Sequence, residues 1–256
     1  KYGKNFNYGF YGLFGVLFLI VYSYISNFFY SHNIYHNSVL LLFGIIGFLF
    51  HLSKNQKLYK NEYKYILILF LLIFPSILIY KAHDDFSYYH FPYVYNLINN
   101  DIIYGIGNIN HGFRTPSSIF YFNSLLYLPI IQYNLFHVTP ILIFGFVNFV
   151  LLKKIFDRKK IDFISILSLF SLIFISIFFY RISEHGTDRS ALILVLLLVI
   201  EVLILLNFKV DFQKSLTKII LILALTISFK MFYLLYLLFL LPILIFLITK
   251  ILKSAN

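Results

Sequence analysis

Long apolar runs recur along this chain, and nothing else in it constrains the fold as tightly. They fall at about residues 10–30, 38–52, 65–81, 137–152, 163–180, 190–207, 218–229 and 231–249. Most approach the roughly 20 residues that a helix needs to cross a bilayer. In hydrocarbon only helices and closed barrels satisfy every backbone N–H and C=O. Barrel strands alternate apolar and polar residues, whereas these runs are continuous. The sequence therefore predicts an all-α fold, a polytopic transmembrane helical bundle of about eight spans. The charge content agrees: 12% of the 256 residues are charged, against roughly 25% in soluble domains.

The net charge of +11 could suggest a nucleic-acid partner, but its distribution argues against one. The cations sit in short loops between apolar runs: Lys54, Lys57, Lys60 and Lys64; Lys153, Lys154, Arg158, Lys159 and Lys160; Lys209, Lys214 and Lys218; Lys250 and Lys253. Placing all four groups on the cytoplasmic side gives one consistent topology under the positive-inside rule. Both termini are then inside. The chain has no cysteine, which removes disulfides and thiolate metal sites. It starts without Met and ends just after an apolar run, so both ends read as cut.

This topology puts residues 31–37, 82–136 and 181–189, and the turn at Lys230, on the outer side. Six of the eight histidines and five acids (Asp84, Asp85, Asp101, Glu184 and Asp188) fall there. The apolar stretch 117–131, SSIFYFNSLLYLPII, is long enough to tempt a ninth span, but a span there would invert every later loop. It is expected to lie along or dip into the outer interface, with Asn123, Ser124 and Pro129 interrupting its apolar character.

The polar island at 82–117 interrupts an otherwise membrane-like chain. His83, Asp84, Asp85 and His90 stand just after a span. A carboxylate shielded by apolar neighbours can act as a general base or bind a cation; adjacent acids can also simply cap a span. The second cluster is Arg181, Glu184, His185, Asp188 and Arg189. Asp188 precedes a helix, so an N-cap role competes, but a cap accounts for one acid and not for its neighbours. Three of the four arginines, Arg114, Arg181 and Arg189, lie outside, and the arginine fork matches phosphate oxygens. Lys230 splits two apolar runs; burying it in the bilayer would cost roughly 2.5–3.5 kcal/mol, so it marks a turn at the outer face or points into a cavity. Snorkelling to the interface is its plainer reading. Glu201, inside an apolar run, either pairs or senses protons, or reaches Lys209 at the inner interface. YGIGNINHG carries G-x-G without a preceding strand and is no nucleotide fingerprint.

The order of these features resembles the GT-C superfamily of polytopic glycosyltransferases, and within it a group of uncharacterised bacterial membrane proteins. The first loop matches at Asp85, Tyr89, His90, Gly105, Gly107, His111, Arg114 and Ser118, the second at Asp188, and the turn at Lys230. The resemblance covers about residues 65–250. It implies a GT-C-like core over 65–256 that includes a large helical outer loop at 82–136; the two leading helices over 1–64 are extra to that core. It further implies a bacterial plasma-membrane enzyme, active on its periplasmic or extracellular face. Such an enzyme moves a sugar from a polyprenyl-phosphate donor to a lipid-linked or surface glycan acceptor. On this analogy Asp85 is the base, and Asp188 holds the acceptor or a divalent cation such as Mg2+ or Mn2+. Arg114, Arg189 and Lys230 neutralise the lipid phosphate, and His90 and His111 donate hydrogen bonds to it. Asp84 and Glu184 complete the expected substrate-binding set. The Asp84–Asp85 doublet leaves two candidate bases, of which the spacing to Tyr89–His90 favours Asp85.

Two other classes compete. A transporter or flippase of a polar lipid or solute would carry polar residues deep along several spans, and this chain carries few. A non-catalytic membrane assembly subunit would use the outer loop only to bind a partner.

Overall fold

Hydrocarbon offers backbone N–H and C=O groups no water, so the apolar runs settle as helices. The computed structural model describes residues 6–78, 84–157, 161–178, 187–208 and 210–255, and among them helices are joined only by turns and one isolated bridge between Leu128 and Gln132. Helix α1 (Tyr8–Asn27) starts at Asn7, whose side-chain oxygen accepts from Phe10 N at 3.1 Å. Helix α2 (Ile34–Ile73) starts at Asn33, which accepts from His36 N at 3.1 Å. Both caps occupy donors that a helix leaves free at its start.

Helix α2 holds the expected span 38–52 and the first part of the run 65–81 in one element. It is not straight. The rings of Phe48 and Tyr63 lie 6.5 Å apart, whereas fifteen residues of straight helix advance about 22 Å. The lysine-rich middle is thus a bend, and the expected domain boundary at residue 64 falls inside this helix. A short helix α3 (Pro75–Leu78) follows. Within the polar island lies α4 (Phe91–Asn99), and beyond it come α5 (Ser118–Leu125), α6 (Val138–Phe156), α7 (Phe163–Phe178), α8 (Thr187–Asn207) and α9 (Phe212–Phe229). The last span opens as a 3-10 helix, Met231–Phe239, and continues as α10 (Leu240–Ala255).

Among the described residues six helices are long and apolar enough to cross a membrane, which makes the chain multi-pass. Of the runs outside these six, the second arm of α2 begins the run at 65 and α7 has 16 residues. Helices α8 and α9 form the centre, where Ile193, Leu197, Ile200, Ile219, Ile222 and Leu225 are fully buried. The first arm of α2 lies at the periphery, with 6% of its span window buried. At the lysine-rich end Glu201 meets Lys154 at 2.5 Å, both shielded from solvent. This pairing accounts for an acid inside a span; Lys209, its other expected partner, lies outside the described residues.

Helix α5 does not span. One end is tied to the top of α9 by Ser118 Oγ donating to Ser228 Oγ at 2.9 Å. The other is tied to the start of α2, where Asn37 Nδ2 donates to the carbonyls of Ser124 and Tyr127 at 2.8 and 3.0 Å. Since both anchors are span ends, α5 lies across that end of the bundle, as expected of an interfacial segment. It departs from a surface helix in being wholly buried, because α4 and the loop after it cover its far side.

Candidate active site at one end of the bundle

The polar island holds near its start a turn of π-helix, Phe86–His90, directly after Asp85. A π turn inserts one residue into the helical register and often marks functional positions. Here it sets Asp85 and Tyr89 on one side: the Tyr89 hydroxyl donates to Asp85 Oδ2 at 3.2 Å. His90 turns inward and is buried against the rings of Tyr89 and Phe120. The glycine-rich stretch folds back on this turn. Gly105 takes φ +76°, a value glycine adopts without the Cβ clash. Gly112 lies so close under Tyr89 that a Cβ would sit 2.5 Å from the ring. Asn110 fastens the loop, accepting from Gly112 N at 2.8 Å and donating to the Tyr88 carbonyl at 3.2 Å. Arg114 Nε donates to the Gly107 carbonyl at 3.4 Å.

From the other side come the start of α8 and the end of α9. Lys230 takes extended backbone after α9. Its Nζ lies 2.7 Å from Asp188 Oδ1 and 2.9 Å from Oδ2. The Tyr233 hydroxyl donates to Asp188 Oδ1 at 3.4 Å. Tyr233 falls on the same side as Lys230 because three residues make one turn of a 3-10 helix.

These parts enclose one cavity of about 610 Å3, lined among others by Asp85, Tyr89, His90, His111, Arg114, Asp188 and Lys230. Three stretches of chain thus bring two carboxylates, two cations and two imidazoles together. Tyr89 stands between the carboxylates. Burial pushes its phenol up to about 12, helped by the charge of Asp85 and then of Asp188, so it remains a proton donor at neutral pH.

The doublet resolves geometrically: Asp85 lines the cavity, while Asp84 is exposed and does not. Arg189 is half-buried on α8 and is not among the lining residues. Glu184 lies outside the described residues, as do His83, Arg181 and His185. Among the described residues no group of three or more His, Asp or Glu could hold a metal ion, and both oxygens of Asp188 face Lys230. Among the described residues the donor set therefore gives a Mg2+ or Mn2+ ion no cradle.

Some contributors were invisible to sequence reasoning. Thr187, in the second outer loop, and Phe229, Met231 and Phe232 also line the cavity, and Tyr233 braces Asp188; the last four fall in runs that read as ordinary span. His32 was grouped with the outer histidines and nothing more. It is fully buried, with Nε2 2.9 Å from Ser26 Oγ and Nδ1 2.6 Å from Ser124 Oγ, and it locks α5 to α1. Its only sequence signal is the neighbouring helix cap, Asn33.

A family model described as a domain of unknown function (DUF8201) matches residues 2–255. No curated protein and no solved structure matches the chain.

Proposed function

We propose that this chain, which belongs to the DUF8201 family, is a membrane glycosyltransferase of GT-C type. It moves a sugar from a polyprenyl-phosphate donor to a lipid-linked or surface glycan acceptor, on the outer face of a bacterial plasma membrane. One observation supports this reading above the others. Asp85, Asp188, Arg114, Lys230, His90 and His111 share a single cavity at one end of a membrane bundle. A volume of about 610 Å3 is within the range of small-ligand sites and suits a sugar phosphate without its lipid tail. Met231 and Phe232, exposed and apolar at the rim, leave that tail in hydrocarbon.

In the transfer, the bond from the anomeric carbon to the phosphate oxygen breaks as an acceptor oxygen bonds to the same carbon. The acceptor proton goes to Asp85, and Tyr89 holds that carboxylate in place. Charge left on the lipid phosphate is taken up by Arg114 and Lys230, with His90 and His111 as hydrogen-bond donors. Lys230 is available because its pair with Asp188 is weak. The two side chains are 47% and 51% exposed, and such pairs contribute about 1 kcal/mol or less. Asp188 is then a positioning residue that holds Lys230 at the rim until a phosphate competes for it.

The test is transfer from a labelled polyprenyl-phosphate sugar by reconstituted protein. Asp85→Asn should abolish it; full activity in correctly inserted Asp85→Asn protein overturns the base assignment.

A further inference from the structure

Between α5 and α6 the chain makes a tight, protruding turn, Leu128–Gln132. Ile131 N donates to the Pro129 carbonyl at 2.8 Å, closing a three-residue turn around Ile130, and Gln132 N donates to the Leu128 carbonyl at 2.8 Å. Ile130 takes φ +68° and Gln132 φ +47°. A three-residue turn with positive φ at its centre is rare and strained, and a β-branched residue is the worst suited to it. Glycine or asparagine would relieve the strain. The chain instead places an aliphatic side chain there and exposes it fully, at 98%. In water this position is doubly unfavourable, in backbone and in side chain.

Its level in the fold suggests what compensates. On one side, Tyr127 is held by Asn37, in the first turn of the span Ile34–Lys54. On the other, Tyr133 opens the span Tyr133–Phe156. The turn is therefore level with the ends of two membrane helices, at the periphery of the bundle. Behind it Tyr127, Tyr133, Phe136 and Phe91 pack ring to ring, with centroids 4.9 to 5.5 Å apart for the pairs through Tyr133. Tyrosines gather at the membrane–water boundary, where their ring sits in an apolar medium and their hydroxyl in a wet one.

We infer that the Leu128–Gln132 turn is a membrane anchor, with Ile130 and Ile131 inserted among the acyl chains of the leaflet on the cavity side. By pinning the end of α5, the anchor fixes the depth of the cavity floor relative to the lipid surface.

The chain contains no tryptophan, so Ile130→Trp introduces a single reporter. The full chain is reconstituted in phosphatidylethanolamine–phosphatidylglycerol vesicles whose acyl chains are plain or brominated. Brominated chains should lower the tryptophan emission about two-fold or more, and aqueous acrylamide should have little effect. Quenching by acrylamide and not by brominated lipid places the tip in water and overturns the inference. Quenching by neither places it against protein, a second copy or another partner, and overturns it equally. Ile131→Trp, at a neighbouring position with ordinary backbone, is read by the same criteria if tryptophan at positive φ prevents folding.

Discussion

Lys230 reaches both carboxylate oxygens of Asp188, at 2.7 and 2.9 Å, across 42 residues of sequence. The contact lines the cavity that Asp85 also lines and joins the start of α8 to the end of α9. Because both partners are half-exposed, the pair is expected to matter more for the site than for the fold. Lys230→Gln and Asp188→Asn should each shift unfolding in detergent by about 1 kcal/mol or less. Lys230→Gln should lower sugar transfer about 100-fold. A double-mutant cycle on thermal unfolding, beside initial rates, separates the two effects.

The acid doublet gives a matched pair of variants. Asp85→Asn removes the proton acceptor and should lower transfer by about 10² to 10⁴. Asp84→Asn, one residue away and outside the cavity lining, should stay within about two-fold of the parent, the range of a surface change that touches no substrate. Equal losses in both would show that the doublet acts as a local charge and not through one placed base.

Gly112 tests the folded loop. A methyl group there meets Tyr89 ring atoms at 2.5 to 2.9 Å, so the ring must move and its bond to Asp85 is lost. Gly112→Ala should cost about 1–3 kcal/mol by overpacking and lower transfer. Gly15→Ala, where nothing lies within 4 Å, should leave both unchanged. Unfolding midpoints and rates on the two variants check this.

His32 gives a pH dependence. Burial, and then the neighbouring His36, lower its pKa to about 3, against a bond to Ser23 that raises it. The unfolded chain, with an imidazole near 6.5, therefore binds a proton that the folded chain refuses. Stability is full above about pH 6.5 and falls as the pH drops from there toward 3, by about 1 kcal/mol per unit. Unfolding from pH 8 to pH 5 should show this slope, and His32→Asn should flatten it.

The strained turn predicts opposite effects in two media. In detergent-free water-like surroundings Ile130→Gly relieves the backbone and should stabilise by about 1 kcal/mol. In a bilayer the lost aliphatic burial, about 2 kcal/mol for a full side chain, should reverse the sign. Unfolding in a short-chain amphipol against vesicles reads both.

The broad plan was legible because its physics is one-dimensional. Apolar length sets spans, lysines set sidedness, and charge at a span's end is costly enough to stand out. The same reasoning places Asp85, His90, His111, Arg114, Asp188 and Lys230 at one end of the molecule, where they line one cavity. What it missed depends on winding. The eleven mostly polar and basic residues Lys54–Lys64 read as a loop, yet remain a bent helix. Tyr233 faces Asp188 only because the chain runs as a 3-10 helix after Lys230. The burial of His32 depends on α5 lying flat, which sequence periodicity does not encode. Arg189 shares a loop with Asp188 but points off the lining, since adjacent residues of a helix face about 100° apart.

The winding after Lys230 also fixes a height. The last span has 19 residues, Met231–Thr249, about 28 Å if wound wholly as α-helix. With nine of them in 3-10 form, at about 2 Å per residue, it stretches to about 33 Å and clears the roughly 30 Å of hydrocarbon. Rewound as α, the same residues would draw Lys230 about 4 Å toward the membrane centre, out of reach of Asp188. A looser coil is thus the spacer that lifts the ammonium group to the waterline.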